Sequence, residues 1–313
     1  AWMGDRLDHA REEVVRREKR LDALVRHSAD VIAVVNRAGR ILYVSPAVEE
    51  VFGWSAEALV GSPASTTFAA GDLPSAVAVL AEVVADPGRV RRHELRVIDA
   101  NGSERWVEAR IANLLDEPAV GGVVVNLVDI SARREMTERL RYFAYTDPIT
   151  TLPNRTAFRE HLDAAAGRAD AHGTTMALLF LDLDDFKVVN DSLGHEAGDT
   201  VLGAVAAQLR AAIPSDHMLA RLGGDEFTVV MEGVAAPTDV EAFAQTLLTT
   251  LMAPVEVMGL RVVVGCSIGI AINHGGVTSP GELLRQADLA MYLAKGQGPN
   301  RYTVFGAAAV PGA

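Results

Sequence analysis

Met176-Ala177-Leu178-Leu179-Phe180-Leu181-Asp182-Leu183-Asp184-Asp185-Phe186-Lys187 decides how this chain folds. An apolar, strand-like run ends abruptly in carboxylates. Farther on, Gly223-Gly224-Asp225-Glu226-Phe227 lies between two more apolar runs, 218–222 and 227–231. A strand closing on Asp182 beside a hairpin that turns at Asp225 sets two carboxylates at neighbouring strand ends. Such a pair can hold Mg²⁺ on a nucleoside triphosphate. The motifs therefore predict an enzyme that works on phosphates.

Composition narrows the alternatives. The 313 residues suffice for about two domains of ordinary size. Apolar content of 49% excludes a mostly disordered chain. A net charge of −12, from 29 basic and 41 acidic residues, argues against a broad nucleic-acid-binding face. A nucleotide substrate stays open, because metal ions supply positive charge locally. The single cysteine, Cys266, has no intramolecular disulfide partner, which fits a reducing compartment and a cytoplasmic location. No apolar run reaches the roughly 18 residues that span a bilayer, so no membrane segment is expected within the chain. A tether or further domain outside it, for example after residue 313, stays open. Basic residues are nearly all Arg. Of the three lysines, Lys187 and Lys295 fall in motifs suited to phosphate contact, and Lys19 does not.

Around this centre the pattern predicts five segments. Residues 1–27 hold a charged amphipathic helix over 5–27, with Leu7, Val14 and Leu21 in heptad spacing. Residues 28–130 read as a small mixed domain. Its strands are 31–35, 41–45, 94–98, 105–114 and 122–128, with helices near 46–60 and 73–86. Asn101-Gly102 between alternating runs is a hairpin signal. Residues 131–145 form a second amphipathic helix, with Met136, Leu140 and Phe143 on one face; lacking Pro and Gly, it is a stiff connector. Residues 146–306 alternate helices (155–166, 197–213, 238–252, 282–295) with strands (176–181, 218–222, 227–231, 262–272). That alternation, with one antiparallel hairpin, implies an α+β sandwich. Residues 307–313 form a flexible tail.

Segment 28–130 resembles a PAS sensor domain, through "DVIAVVNRAGRILYVSPAVEEVFGWSAEALVGS", "RRHELRVIDANGSERWVEARI" and "GGVVVNLVDIS". The resemblance implies an antiparallel sheet with flanking helices and a sensing role. Its ligand is not named by the sequence. The domain has no Cys for a photoactive flavin. Residues 46–92 contain no His to ligate haem, and His27 and His93 read as surface residues. Trp54 and Trp106 read as packing residues.

Residues 146–306 resemble the GGDEF domain of diguanylate cyclases. Five blocks carry this in order: "TDPITTLPNRTAF", "LDLDDFKVVNDSLGHEAGD", "ARLGGDEF", "CSIGIA" and "ADLAMYLAKGQGPNRY". The resemblance implies a mostly antiparallel central sheet surrounded by helices, akin to nucleotide cyclases and polymerase palms. It implies synthesis of cyclic di-GMP from two GTP, with two Mg²⁺ (Mn²⁺ as an alternative) and a homodimer that brings two half-sites together. Asp182, Asp225 and the Leu183 carbonyl would hold metal. Asp225, Glu226 and Lys187 would be catalytic, with Glu226 in metal binding or proton removal. GTP would meet Leu183, Asp185, Phe186, Lys187, Asn190, Asp199, Gly223, Gly224, Lys295 and Arg301. Asn190 and Asp199 match guanine-contacting positions; an Asp suits the N1–H and N2–H₂ donors that adenine lacks.

Three departures qualify the likeness. Ile213-Pro214-Ser215-Asp216-His217 lacks the family's inhibitory Arg-x-x-Asp, so product inhibition there is expected to be absent or weak. Pro299 stands where an Arg is usual, and Thr151 where a Gly is usual. The expected function is a PAS-regulated diguanylate cyclase. The alternative is a GTP-binding regulatory module of a longer protein, upstream of a cyclic di-GMP phosphodiesterase domain.

Overall fold

The computed structural model describes residues 30–306 apart from 87, 89, 276 and 277, together with Glu13, Arg16, Arg20 and Ala23. Those four are helical and exposed. Otherwise the helix expected over 5–27, and the tail 307–313, lie outside the described residues. The chain divides into two compact units, 1–138 and 139–313.

The first unit is a five-stranded antiparallel sheet. Its strands are β1 (Val31–Val35), β2 (Ile41–Val44), β3 (Val90–Ile98), β4 (Glu104–Leu114) and β5 (Gly122–Asp129), in the order β2-β1-β5-β4-β3. Two tight turns fix its register. At the first, Asn36 Oδ1 accepts from the N–H groups of Ala38 and Arg40, and Gly39 takes φ 75°. At the second, Asp99 Oδ1 accepts from Asn101 and Ser103 N–H, and Gly102 takes φ 82°. These self-satisfied turns need no help from the rest of the domain. Helices α1 (Ala47–Phe52), α2 (Ala56–Leu59) and α3 (Leu73–Ala85) complete the unit. The helical stretch expected near 46–60 holds two helices, separated where Gly53 caps α1 in the left-handed region at φ 73°. Trp54 packs against the core and donates Nε1 to the Ile98 carbonyl. Helix α4 (Ser131–Tyr145) follows β5; Arg134 near its start pairs with Glu94 and stacks 3.8 Å from the Trp106 ring centroid. Trp106 is therefore a platform for arginine rather than a core residue.

The second unit packs helices on both faces of a sheet ordered β12-β11-β6-β8-β7. In chain order its elements are α5 (Arg155–His172), β6 (Thr175–Leu183), α6 (Phe186–Leu193), α7 (His195–Ala212), β7 (Met218–Gly223), β8 (Glu226–Met231), α8 (Pro237–Leu251), β9 (Val255–Val257), β10 (Leu260–Val262), β11 (Cys266–His274), α9 (Pro280–Gly296) and β12 (Arg301–Val304). Only β11 and β12 run parallel. Strand β6 is buried on both faces, which its unbroken apolar run reflects. Ala177, Leu179, Leu181 and Leu183 pack under α7 and α8. Met176, Leu178 and Phe180 pack under α5 and α9. By the two-residue alternation of a strand, Asp182 belongs to the α5/α9 side.

Several elements differ from those the sequence pattern predicts. The strand expected over 262–272 is two elements: Val262 ends the β9–β10 hairpin, and β11 begins at Cys266. Helix α6 and strand β12 were not foreseen. Helix α5 runs on to His172, where Gly173 caps it at φ 65°.

Candidate active site

Sheet register brings the acidic motifs together. Asp182 lies opposite Glu226 on β8 and opposite Ser267 on β11. The Leu183 N–H donates to the Asp225 carbonyl at 3.2 Å, so the hairpin turn sits against the end of β6. Gly223 and Gly224 make that turn with φ of 142° and 53°, values that disfavour any side chain. A Cβ at either would meet nothing within 4 Å, so open space lies above the turn.

Asp182 is 8% exposed. Burial first, then the neighbouring Asp225 and Glu226 charges, raise its pKa to about 6, although Lys295 pulls the other way. Lys295, from the last turn of α9, brings Nζ within 2.5 Å of Asp182 Oδ1. Its approach lacks hydrogen-bond directionality, and that buried oxygen has no partner of proper geometry. Burial works against the Lys295 ammonium, but Asp182, Asp225 and Asp184 together raise its pKa. Glu226 is also raised, by burial and by Asp225 and Asp288, against the opposing pull of Arg155 3.5 Å away. The centre thus has more carboxylate than nearby cation can neutralise. A buried carboxylate oxygen that faces the Lys295 ammonium, beside a second carboxylate and the end of β6, suits a hard cation. Among the described residues no three Asp, Glu, His or Cys groups form a ready metal cage. Two carboxylates and a backbone carbonyl fit Mg²⁺, which keeps several waters and shares phosphate oxygens.

The expected nucleotide-binding residues are arranged around this centre. Phe186 is 7% exposed and belongs to the core, so only its backbone faces outward chemistry. Asp185 caps α6 in the left-handed region at φ 56°. The first-turn N–H groups of α6, from Phe186 and Lys187, have no acceptor within the helix. Lys187 is exposed there. Asn190 lies where α6 meets α7, since a Cβ at Gly198 would lie 2.0 Å from its Oδ1; Asp199 is the next residue of α7 and is exposed. Arg301 opens β12, its guanidinium folded against Gly298, and is bonded to no site carboxylate among the described residues.

The structure adds a brace that sequence reasoning missed. Arg221, 5% exposed, donates from Nε and Nη2 to the Gly224 carbonyl at 3.0 and 2.7 Å. Its Nη1 pairs with Asp147. Burial alone would raise the Asp147 pKa, but Thr150 and Arg221 together lower it. Arg155 Nε donates to the Leu222 carbonyl. The opening motif therefore clamps the Gly-Gly turn. An Arg inside an apolar strand was the available signal, since a buried charge needs a partner. Asp184 is a second tie, accepting from Ser267 Oγ at 2.7 Å and Asn300 N–H at 2.8 Å.

The family model described as "Diguanylate cyclase, GGDEF domain" matches residues 144–301, and a PAS fold model matches residues 25–135. The chain is 40% identical over 177 residues to cyclic di-GMP phosphodiesterase PdeR of Escherichia coli, covering 56% of this chain and 26% of that protein. It is 40% identical over 159 residues to diguanylate cyclase TpbB of Pseudomonas aeruginosa, covering 50% and 37%. The chain thus spans well under half the length of these relatives. The solved coiled coil and GGDEF domain of DgcB from Caulobacter crescentus, in complex with c-di-GMP, is similar with a TM-score of 0.53 and 31% identity, over 56% of this chain and 93% of that one. With the matching model spanning half of the chain, this protein belongs to the diguanylate cyclase GGDEF-domain family, with a PAS-fold domain ahead of that domain.

Proposed function

We propose that this chain is a diguanylate cyclase that joins two GTP into cyclic di-GMP and releases two pyrophosphates. The observation that carries this reading is the juxtaposition of Asp182, Asp225 and Lys295 beneath an open Gly223-Gly224 turn. Asp182, Asp225 and the Leu183 carbonyl would hold Mg²⁺, which when bound neutralises phosphate charge and acidifies the attacking 3′-hydroxyl. The protein's own residues orient and steady the reactants. Lys187 and the first N–H groups of α6 receive the terminal phosphates, as a helix N-terminus favours anions. Asp199 and Asn190 accept and donate along the guanine edge. Glu226, whose raised pKa makes it a better base than an ordinary carboxylate, takes the hydroxyl proton. Lys295 keeps Asp182 aligned and offsets charge as the leaving group departs.

Each domain holds one nucleotide, so two copies must face each other. The exposed stripe Met136, Leu140 and Phe143 of α4, at 59%, 62% and 67%, supports pairing through that helix. The PAS-fold domain would then govern activity by altering α4 packing. Incubation with GTP and Mg²⁺, followed by mass analysis of products, tests the reading. Cyclic di-GMP supports it. The similarity to PdeR favours a second reading, a GTP-binding regulatory module. GTP retained tightly but unconverted would select that one.

A further inference from the structure

The PAS-fold unit encloses a cavity of about 500 Å³ between its sheet and α3. Sites for small molecules commonly measure roughly 300–1,000 Å³. Apolar side chains make most of its wall, among them Val31, Val44, Leu95, Ile111 and Leu127, with Ser65 and Thr67 as neutral polar groups. Helix α3 is apolar along most of its length, yet only Val83 is fully buried and Val77 stays 56% exposed, because the helix stands over this space. Apolar cavities of only roughly 150 Å³ take up benzene and stay free of water. A larger one of the same character suits a hydrocarbon body.

Charge at the wall says what the rest of the ligand is. The chain carries 41 acidic residues, but among the described residues no Asp or Glu lines the cavity. Among the described residues, the lining groups able to carry charge are Arg37 and His93. His93 lines the cavity wall, half-buried, rather than standing on the surface as the sequence suggested. Its Nε2 lies 3.2 Å from Ser75 Oγ. Arg37 sits beside exposed Ala38 at the mouth, and no hydrogen bond or ion pair joins it to any described residue. A ligand with several carboxylates would leave most of them facing apolar wall. One carboxylate at the mouth matches one free guanidinium.

We propose that this cavity binds a monocarboxylate with an apolar body, of the fatty-acid type, its hydrocarbon among the walls and its carboxylate on Arg37. The proposal rests on the PAS-fold unit alone and is independent of the cyclase reading.

The test is titration of the full chain with dodecanoate and with dodecanol, by calorimetry, with native mass spectrometry for stoichiometry. The expected result is one dodecanoate per chain, bound about tenfold more tightly than the alcohol, the worth of one charge-assisted contact. Arg37→Ala should erase that preference and leave dodecanol binding intact. Ala109→Phe, which projects a ring from the buried wall, should abolish both. Because Ala109→Phe risks misfolding, the exposed Arg37→Ala decides. Binding of neither probe overturns the proposal, as does equal affinity for acid and alcohol, or a preference that survives Arg37→Ala.

Discussion

At Asp182 burial outweighs an adjacent ammonium, and that balance has a consequence in pH. The folded protein keeps this proton up to about pH 6, whereas the unfolded chain releases it near pH 3.8. Between those values the folded state binds the extra proton, so stability of the metal-free protein falls as pH rises and levels off above about 6. Glu226 acts in the same direction. The loss is on the order of 2 kcal/mol, and Asp182→Asn should flatten most of it. Thermal melts from pH 4 to 7 check this; an unchanged slope in Asp182→Asn contradicts it. Added Mg²⁺ should stabilise the protein more at pH 7 than at pH 5, because it competes with that proton. A second residue-level prediction concerns Thr151, at φ 58°. A β-branched residue is strained there, so Thr151→Gly should stabilise by about 1 kcal/mol, measured by chemical denaturation. Destabilisation would show that the left-handed backbone is not strained.

Elements, not single residues, hold the site in register. Gly269 on β11 lets α9 lie directly on the strand: a Cβ there would sit 2.0 Å from the Ala287 carbonyl oxygen and 2.2 Å from the Met291 nitrogen. Gly269→Ala should push α9 outward and cost about 3 kcal/mol, with Lys295 displaced from Asp182. Denaturant midpoints read the stability; a change under about 0.5 kcal/mol would contradict it. Helix α4 carries a different prediction. Leu140→Glu on its exposed stripe should shift dimer to monomer in sedimentation and lower activity more than roughly tenfold, with the melting temperature unchanged, because a helix seam does not tolerate an unpaired charge. Unaltered self-association would remove α4 from the interface.

Much of the architecture was legible because the apolar runs of β6, β7 and β8 end at turn and acidic residues. The hairpin at Gly223-Gly224 and the pairing of Asp182 with its neighbour follow from that pattern. The brace of Asp147, Arg155 and Arg221 was not legible. Its partners lie as far as 74 positions apart, and only the fold brings them together. Short elements failed for another reason: β9, β10 and β12 span three or four residues, too few for a period to show. The cavity under α3 was hidden too, since lining residues and core residues have the same composition.

At the scale of the molecule, two units of different character share one chain. The PAS-fold unit encloses apolar space, and the GGDEF unit concentrates carboxylates at a strand end. The chain spans only part of its curated relatives, and one of these is a phosphodiesterase by name. Chemistry at the acidic pair therefore decides between the readings. The most direct measurement is simultaneous quantitation of cyclic di-GMP and pyrophosphate from GTP and Mg²⁺, for the wild type and Asp225→Ala. The account predicts two pyrophosphates per cyclic di-GMP in the wild type and no detectable product in the variant. Cyclic di-GMP formed equally by both, or GTP held unconverted by the wild type, would contradict it.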